Sequence, residues 1–231
     1  MFYFDTTYLL MVLIPGLLIS GGASLLVKSA FNKYSQIRGR HGYTGAQAAQ
    51  MLLANAGIHD VSIVATHGHL SDHYNPQTKQ LALSEGVYAS NSLAAVGIAC
   101  HEAGHAIQHA RNYGPLGIRS ALVPMAGIGS NLGYIVMAVG LFIHPLVVGI
   151  GAIIFAGVLL FQLVTLPVEF DATARAKKLV VETGIVDADE RYAIDRVLNA
   201  AALTYIAAVI STLLTLVYFL MRSGLLGGSD D

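Results

Sequence analysis

No aspartate, glutamate, lysine or arginine occurs between Arg119 and Glu169. A bilayer core of about 30 Å takes roughly 20 apolar residues as a helix. The uncharged interval is too long for one crossing and suits two. His144-Pro145 is the natural turn between them, because proline disfavours helix at the residue before it. Two further stretches have the same character. Tyr8 to Val27 is apolar with no lysine or arginine before it, so it reads as a retained anchor rather than a cleaved signal. Val197 to Met221 is closed by Arg222 and a polar GGSDD tail. Composition agrees, with 55% hydrophobic and 12% charged residues, against about a quarter charged in soluble domains. The expected fold class is a mostly α membrane protein with spans at about 8–27, 121–143, 146–168 and 197–221.

Positive charge sorts between the connecting segments. Lys28, Lys33, Arg38, Arg40, Lys79, Arg111 and Arg119 lie between spans one and two; Arg175, Lys177, Lys178, Arg191 and Arg196 lie between spans three and four. Only Arg222 falls on the other side. The positive-inside rule therefore puts residues 28–119 and 169–196 in the cytoplasm and both termini outside. The net charge of −1 names no partner, and no basic patch interleaved with aromatics points to nucleic acid. The single cysteine, Cys100, excludes an intramolecular disulfide and reads as a buried, inert thiol.

The polar segments carry their own signals. Thr44 and Gly57 bracket a short helix as N-cap and C-cap. Val61 to Thr66 alternates like a strand, and Leu70 to Ser84 reads as two short strands around an Asn-Pro-Gln-Thr turn. Ser90 or Asn91 opens a long helix through SLAAVGIACHEAGHAIQHARN. DATARAKKLVVET is helical and ends at Gly184, and Asp187 to Arg196 starts a helix that continues into the fourth span.

The long helix contains the chemistry. His101, Glu102 and His105 form an HExxH sequence. Residues four apart on an α-helix differ by about 40° and about 6 Å of rise, so both imidazoles leave one face and can share a metal ion. Glu102 can take a proton from the attacking water and pass it to the leaving amine. A catalytic zinc has three protein ligands and one open position. The third ligand is expected at Glu169, the first ionisable residue after the two-span hairpin returns the chain to the same membrane face. His109 is the rival, but at about 12 Å along the axis from His101 it is placed instead as an outer contact, a substrate contact or simply an exposed polar residue.

Other residues are weaker candidates. His67, His69 and His73 form a second histidine group, read as a polar loop beside the cleft rather than a metal site. Asp72 and His73 could line a substrate groove. Strand Lys79 to Ser84 is expected as a sheet edge able to pair with an extended substrate. Tyr192, Arg196, Tyr205 and His109 are the donors available for transition-state charge, and Tyr205 reads equally as an interfacial aromatic anchor.

The segments LSDHYNPQTKQLALSEGVY, AVGIACHEAGHAIQHA, LPVEFDATARA and VLNAAALTYIAA, with the span pattern, resemble the YugP-like membrane zinc metallopeptidases over nearly the whole chain. The resemblance implies a bacterial-type multi-pass cell-membrane protein with a zinc peptidase site; residues 1–231 are expected as a single membrane-embedded domain with a small zincin-like α+β cytoplasmic part. It also implies one catalytic Zn2+ on His101, His105 and Glu169, with Glu102 as base. More distantly the chain is similar to the Ste24 and HtpX type of membrane gluzincin, which carry an aspartate four residues after the third ligand. Here that position is Thr173, and Asp171 is the candidate to orient a ligating histidine.

The expected activity is zinc-dependent endopeptidase action on peptides or membrane proteins at the cytoplasmic surface. The competing reading is a non-catalytic membrane scaffold or adaptor with a structural zinc, which a closed four-ligand site would favour. A site-2-like intramembrane protease fits less well, since Gln108, Arg111 and Asn112 follow the motif and no LDG occurs. A transporter would need charged residues within the spans. Glycine-rich spans suit helix packing within a chain or between chains, so a homo-oligomer or another membrane-protein partner is compatible with the sequence.

Overall fold

The computed structural model describes residues 5–68 and 70–226. His69 and the GGSDD tail lie outside the described residues. Four helices are long and apolar enough to cross a membrane: Thr6–Tyr34, Gly114–Ile143, Pro145–Glu182 and Arg191–Arg222. The first is built from α1 (Thr6–Tyr8), a π-helical turn at Leu9–Leu13 and α2 (Ile14–Tyr34). The remaining elements, in order, are α3 (Gly45–Asn55), β1 (Ser62–Thr66), β2 (His73–Asn75), β3 (Gln80–Ser84), α4 (Glu85–Tyr88), α5 (Leu93–Ala110), α6 (Gly114–Ile143), α7 (Pro145–Glu182) and α8 (Arg191–Arg222). The expected break falls at His144, between α6 and α7. Helix α7 runs past the expected span end at residue 168 and takes in the polar DATARAKKLVVET segment without interruption.

The chain divides into two compact units. The first comprises the described residues of Met1–Ser24, Ile118–Leu166 and Thr204–Asp231. Its core gathers Val12, Met137, Val148, Ala152, Phe155, Val158, Tyr218 and Phe219. Helices α6 and α7 approach backbone to backbone here: a Cβ on Gly133 would lie 2.7 Å from the Phe155 nitrogen. Small residues permit such approach in spanning helices, where dispersion rather than water expulsion holds helices together. Outward-facing Leu17, Leu18, Phe142, Leu146 and Ile153 are each more than 60% exposed. Apolar exposure on this scale belongs against lipid rather than water.

The second unit comprises Leu25–Gly117 and Pro167–Leu203. Its core packs α3 and α5 with β3 and the Ala176–Leu198 region, including Leu52, Leu81, Leu83, Val96, Val180 and Ile194. Helix α3 begins with a reciprocal capping box, Thr44 with Gln47, and Gly57 supplies the left-handed residue after its end (φ 75°), as the sequence suggests. Helix α5 starts slightly later than expected. Its N-cap is Ser92, whose hydroxyl accepts from the Ala95 amide, while Ser90 donates to Ser92.

The sheet corrects one expectation. Strand order is β1-β3-β2, with β1 parallel and β2 antiparallel to β3. The strand at Gln80–Ser84 is therefore central, not an edge. It is paired along its whole length by β1 and over Gln80–Ala82 by β2, so it does not offer the free edge expected of it. Alternation along a strand reports which face is buried but not which neighbours it takes. The β2–β3 turn follows from Asn75, whose Oδ1 accepts from the amides of Gln77 and Thr78, the local pattern that makes asparagine a turn former.

Candidate metal centre

Helix α5 presents His101 and His105 from one face, as their four-residue spacing requires. Their rings meet edge to face with centroids 4.8 Å apart. Glu169 comes from α7, near the start of that helix's contribution to the second unit. Its Oε2 lies 3.2 Å from Nε2 of His101 and 3.5 Å from Nε2 of His105. One ligand atom from each of the three residues lies within 4.8 Å of the others. The Glu169 side chain is 2% exposed. A buried carboxylate aimed between two imidazole nitrogens is costly to leave uncompensated, and two histidines with one carboxylate are a donor set suited to zinc.

The close approach of α5 to α7 depends on Gly104. A Cβ there would sit 2.8 Å from the Ala172 carbonyl oxygen and 3.3 Å from its Cα. Glycine at the fourth position of the motif thus lets α5 and α7 touch.

The far nitrogens of both rings are occupied. His101 Nδ1 lies 3.2 Å from the Thr173 hydroxyl. His105 Nδ1 lies 2.9 Å from Gln108 Oε1. Gln108 is fully buried, and its amide donates to the Val168 carbonyl at 2.7 Å and to Asp171 Oδ2 at 2.8 Å. Asp171 in turn accepts from Arg175 at 2.6 and 3.2 Å. Asp171 therefore meets Gln108 rather than either histidine. Thr173 occupies the position that carries aspartate in the more distant families and meets His101. Sequence reasoning passed over both Thr173 and Gln108. Gln108 at i+3 from His105 on the same helix was the available signal.

Burial works against the charged form of His105, but hydrogen bonding to Glu169 and the charges of Glu102 and Glu169 outweigh it and displace its pKa upward. Cys100, one residue before the motif, is fully buried and its thiol is pushed up to about 12 by desolvation. Glu102 is half-buried on α5, next to His101.

Among the described residues, none of the other candidate histidines or acids joins this group. His109 pairs with Tyr74, Nδ1 to Oη at 2.8 Å. His73 is exposed and donates from Nδ1 to the Ser71 carbonyl at 2.8 Å. Asp72 is committed to the amide and hydroxyl of Ser84, which pins the loop to the end of β3. His67 pairs with Glu85 on the surface. Tyr205 is half-buried on α8 in the first unit. Tyr192 lies on the surface of the second unit, beneath the Arg196 guanidinium. Among the described residues, only His101, His105 and Glu169 gather as a group able to hold an ion.

Comparison with known proteins decides the family. Residues 9–224 match the family described as "Putative neutral zinc metallopeptidase". The chain belongs to this zinc metallopeptidase family. It is 39% identical over 219 residues to "Putative membrane protease YugP" of Bacillus subtilis (strain 168), covering 94% of this chain and 96% of that relative. No solved structure matches the chain. Family membership brings Zn2+ with it, and His101, His105 and Glu169 form a site that fits the ion.

Proposed function

We infer that this protein is a gluzincin-like membrane endopeptidase that hydrolyses peptide bonds close to the cytoplasmic membrane surface. One observation carries the reading: one nitrogen from each of two imidazoles and one carboxylate oxygen converge within 4.8 Å. That is the three-donor set of a catalytic zinc site with a position left open. The name of the Bacillus relative, a membrane protease, agrees with it.

A zinc ion on these three side chains would polarise the scissile carbonyl and acidify a water molecule, which is the chemistry amide hydrolysis needs. The protein's own groups supply the rest. Glu102, adjacent to His101 and outside the ligand set, takes the proton of the attacking water and delivers it to the leaving amine. The burial of Glu169 beside both histidines keeps the donor atoms in place before substrate arrives, so little reorganisation is needed during reaction. The clustering of twelve of thirteen lysines and arginines in residues 28–119 and 169–196 supports the cytoplasmic assignment. A structural-zinc scaffold is disfavoured because such sites are closed by four protein ligands.

The experiment is a metal and cleavage assay on the purified full-length protein in lipid nanodiscs. One zinc per chain, cleavage of an unstructured protein substrate, loss with a chelator and recovery with added zinc are expected. A zinc-loaded protein that cleaves nothing across a broad peptide library would favour the scaffold instead.

A further inference from the structure

We propose that Gln108 is a positioning residue that sets the orientation of two metal ligands at once, fixing the ring of His105 and the helix turn that carries Glu169. The proposal rests on the zinc-peptidase reading of the site.

A glutamine amide offers one acceptor oxygen and one donor NH2. Gln108 Nε2 faces the Val168 carbonyl at 2.7 Å and Asp171 Oδ2 at 2.8 Å. Both are acceptors. The opposite amide orientation would set its oxygen against the buried Val168 carbonyl and the partly exposed Asp171 carboxylate. The network therefore fixes Oε1 toward His105 Nδ1, 2.9 Å away. An oxygen acceptor there requires Nδ1 to carry its proton. The lone pair of His105 then resides on Nε2, the nitrogen that faces Glu169 at 3.5 Å. One tautomer and one ring orientation follow from a single amide.

The same side chain acts on the other helix. Val168 immediately precedes Glu169, and its carbonyl is held by Gln108 Nε2. Pro167, inside α7, removes an amide from this turn, so the helix alone holds it less firmly. Gln108 ties the turn to α5 at the point where the third ligand departs. Arg175 completes the chain by holding Asp171 through two contacts, which keeps that carboxylate turned toward the Gln108 amide. A carboxylate, carbonyl or similar partner on the outer nitrogen of a metal-ligating histidine is the usual arrangement; here a neutral amide stands between histidine and carboxylate, and also grips the second ligand's helix.

The test is zinc affinity, measured by competition with a chromogenic chelator, together with the visible spectrum of the cobalt-substituted protein. Full-length wild type, Gln108→Leu, Gln108→Glu and Gln108→Glu combined with Asp171→Asn are compared, with thermal melts to establish folding. Gln108→Leu should weaken zinc binding roughly 10–100-fold and alter the cobalt bands. Gln108→Glu keeps an acceptor for His105 but sets two carboxylates together, and should weaken binding as well. Adding Asp171→Asn restores a donor opposite the new carboxylate and should recover part of the affinity, the Val168 carbonyl still lacking its donor; a merely space-filling role would predict no recovery. Should the Gln108 variants fail to fold, Asp171→Ala, at a partly exposed side chain, should weaken zinc binding in the same direction. Unchanged affinity in the folded single variants, or a paired variant no tighter than Gln108→Glu, would overturn the proposal. Failure of the wild type to bind zinc would instead overturn the reading of the site beneath it.

Discussion

Oε2 of Glu169 lies 3.2 Å from Nε2 of His101 across a sequence separation of 68 residues. The helical hairpin of α6 and α7 occupies that interval, so the approach is a product of the fold rather than of local sequence. Replacing Glu169 removes the only carboxylate in the donor group. Glu169→Ala should therefore lower zinc affinity by more than the roughly 10–100-fold that loss of an outer-shell partner costs. Metal analysis after dialysis checks this; stoichiometric zinc in the variant would remove Glu169 from the ligand set.

Gly104 sets the spacing between the ligand helices. Its added Cβ would meet backbone atoms of Ala172, which cannot rotate aside. Gly104→Ala should cost about 1–3 kcal/mol of stability, as overpacking typically does, and should weaken zinc binding because α5 and α7 are pushed apart. A lower midpoint in thermal unfolding with reduced zinc content is the expected pair of results. A variant that melts like wild type would show that the contact relaxes freely.

Cys100 should be chemically silent in the folded protein. Burial raises its pKa to about 12, so near neutral pH the reactive thiolate is a negligible fraction. Thiolate appears only as pH rises toward that value, and the sulfur has no solvent contact meanwhile. Maleimide labelling at neutral pH should be absent in the native state and complete in denaturant. Rapid native labelling would contradict the packing around the motif.

A silent native cysteine makes topology measurable with introduced ones. Thr78→Cys, on the exposed β2–β3 turn, should resist an impermeant maleimide in intact cells and react after permeabilisation. His144→Cys, between α6 and α7, should react in intact cells. The reverse pattern would invert the orientation inferred from charge.

These outcomes bear on how much the sequence discloses. The spans were legible because hydropathy over 20 residues is a large signal, and Pro145 marks the turn. The pairing of His101 with His105 was legible because the spacing in HExxH maps onto one helix face. Glu169 was legible from topology, as the first ionisable residue after a two-span return. The supporting shell was not. Thr173 and Gln108 are ordinary polar residues whose roles depend on which atoms face them across two helices, and no local periodicity encodes that. Asp171 was singled out, yet it reaches His105 only through Gln108. The place of Gln80–Ser84 in the sheet was missed for a related reason, since partner strands are chosen by tertiary packing.

The central claim is that Glu102 is the base and the three neighbouring side chains hold the metal. The most direct measurement is zinc content together with cleavage rate for purified wild type and Glu102→Gln. The account predicts one zinc per chain in both, with cleavage by Glu102→Gln reduced by at least about 10²–10⁴-fold. Cleavage at the wild-type rate by a zinc-loaded Glu102→Gln protein would contradict it.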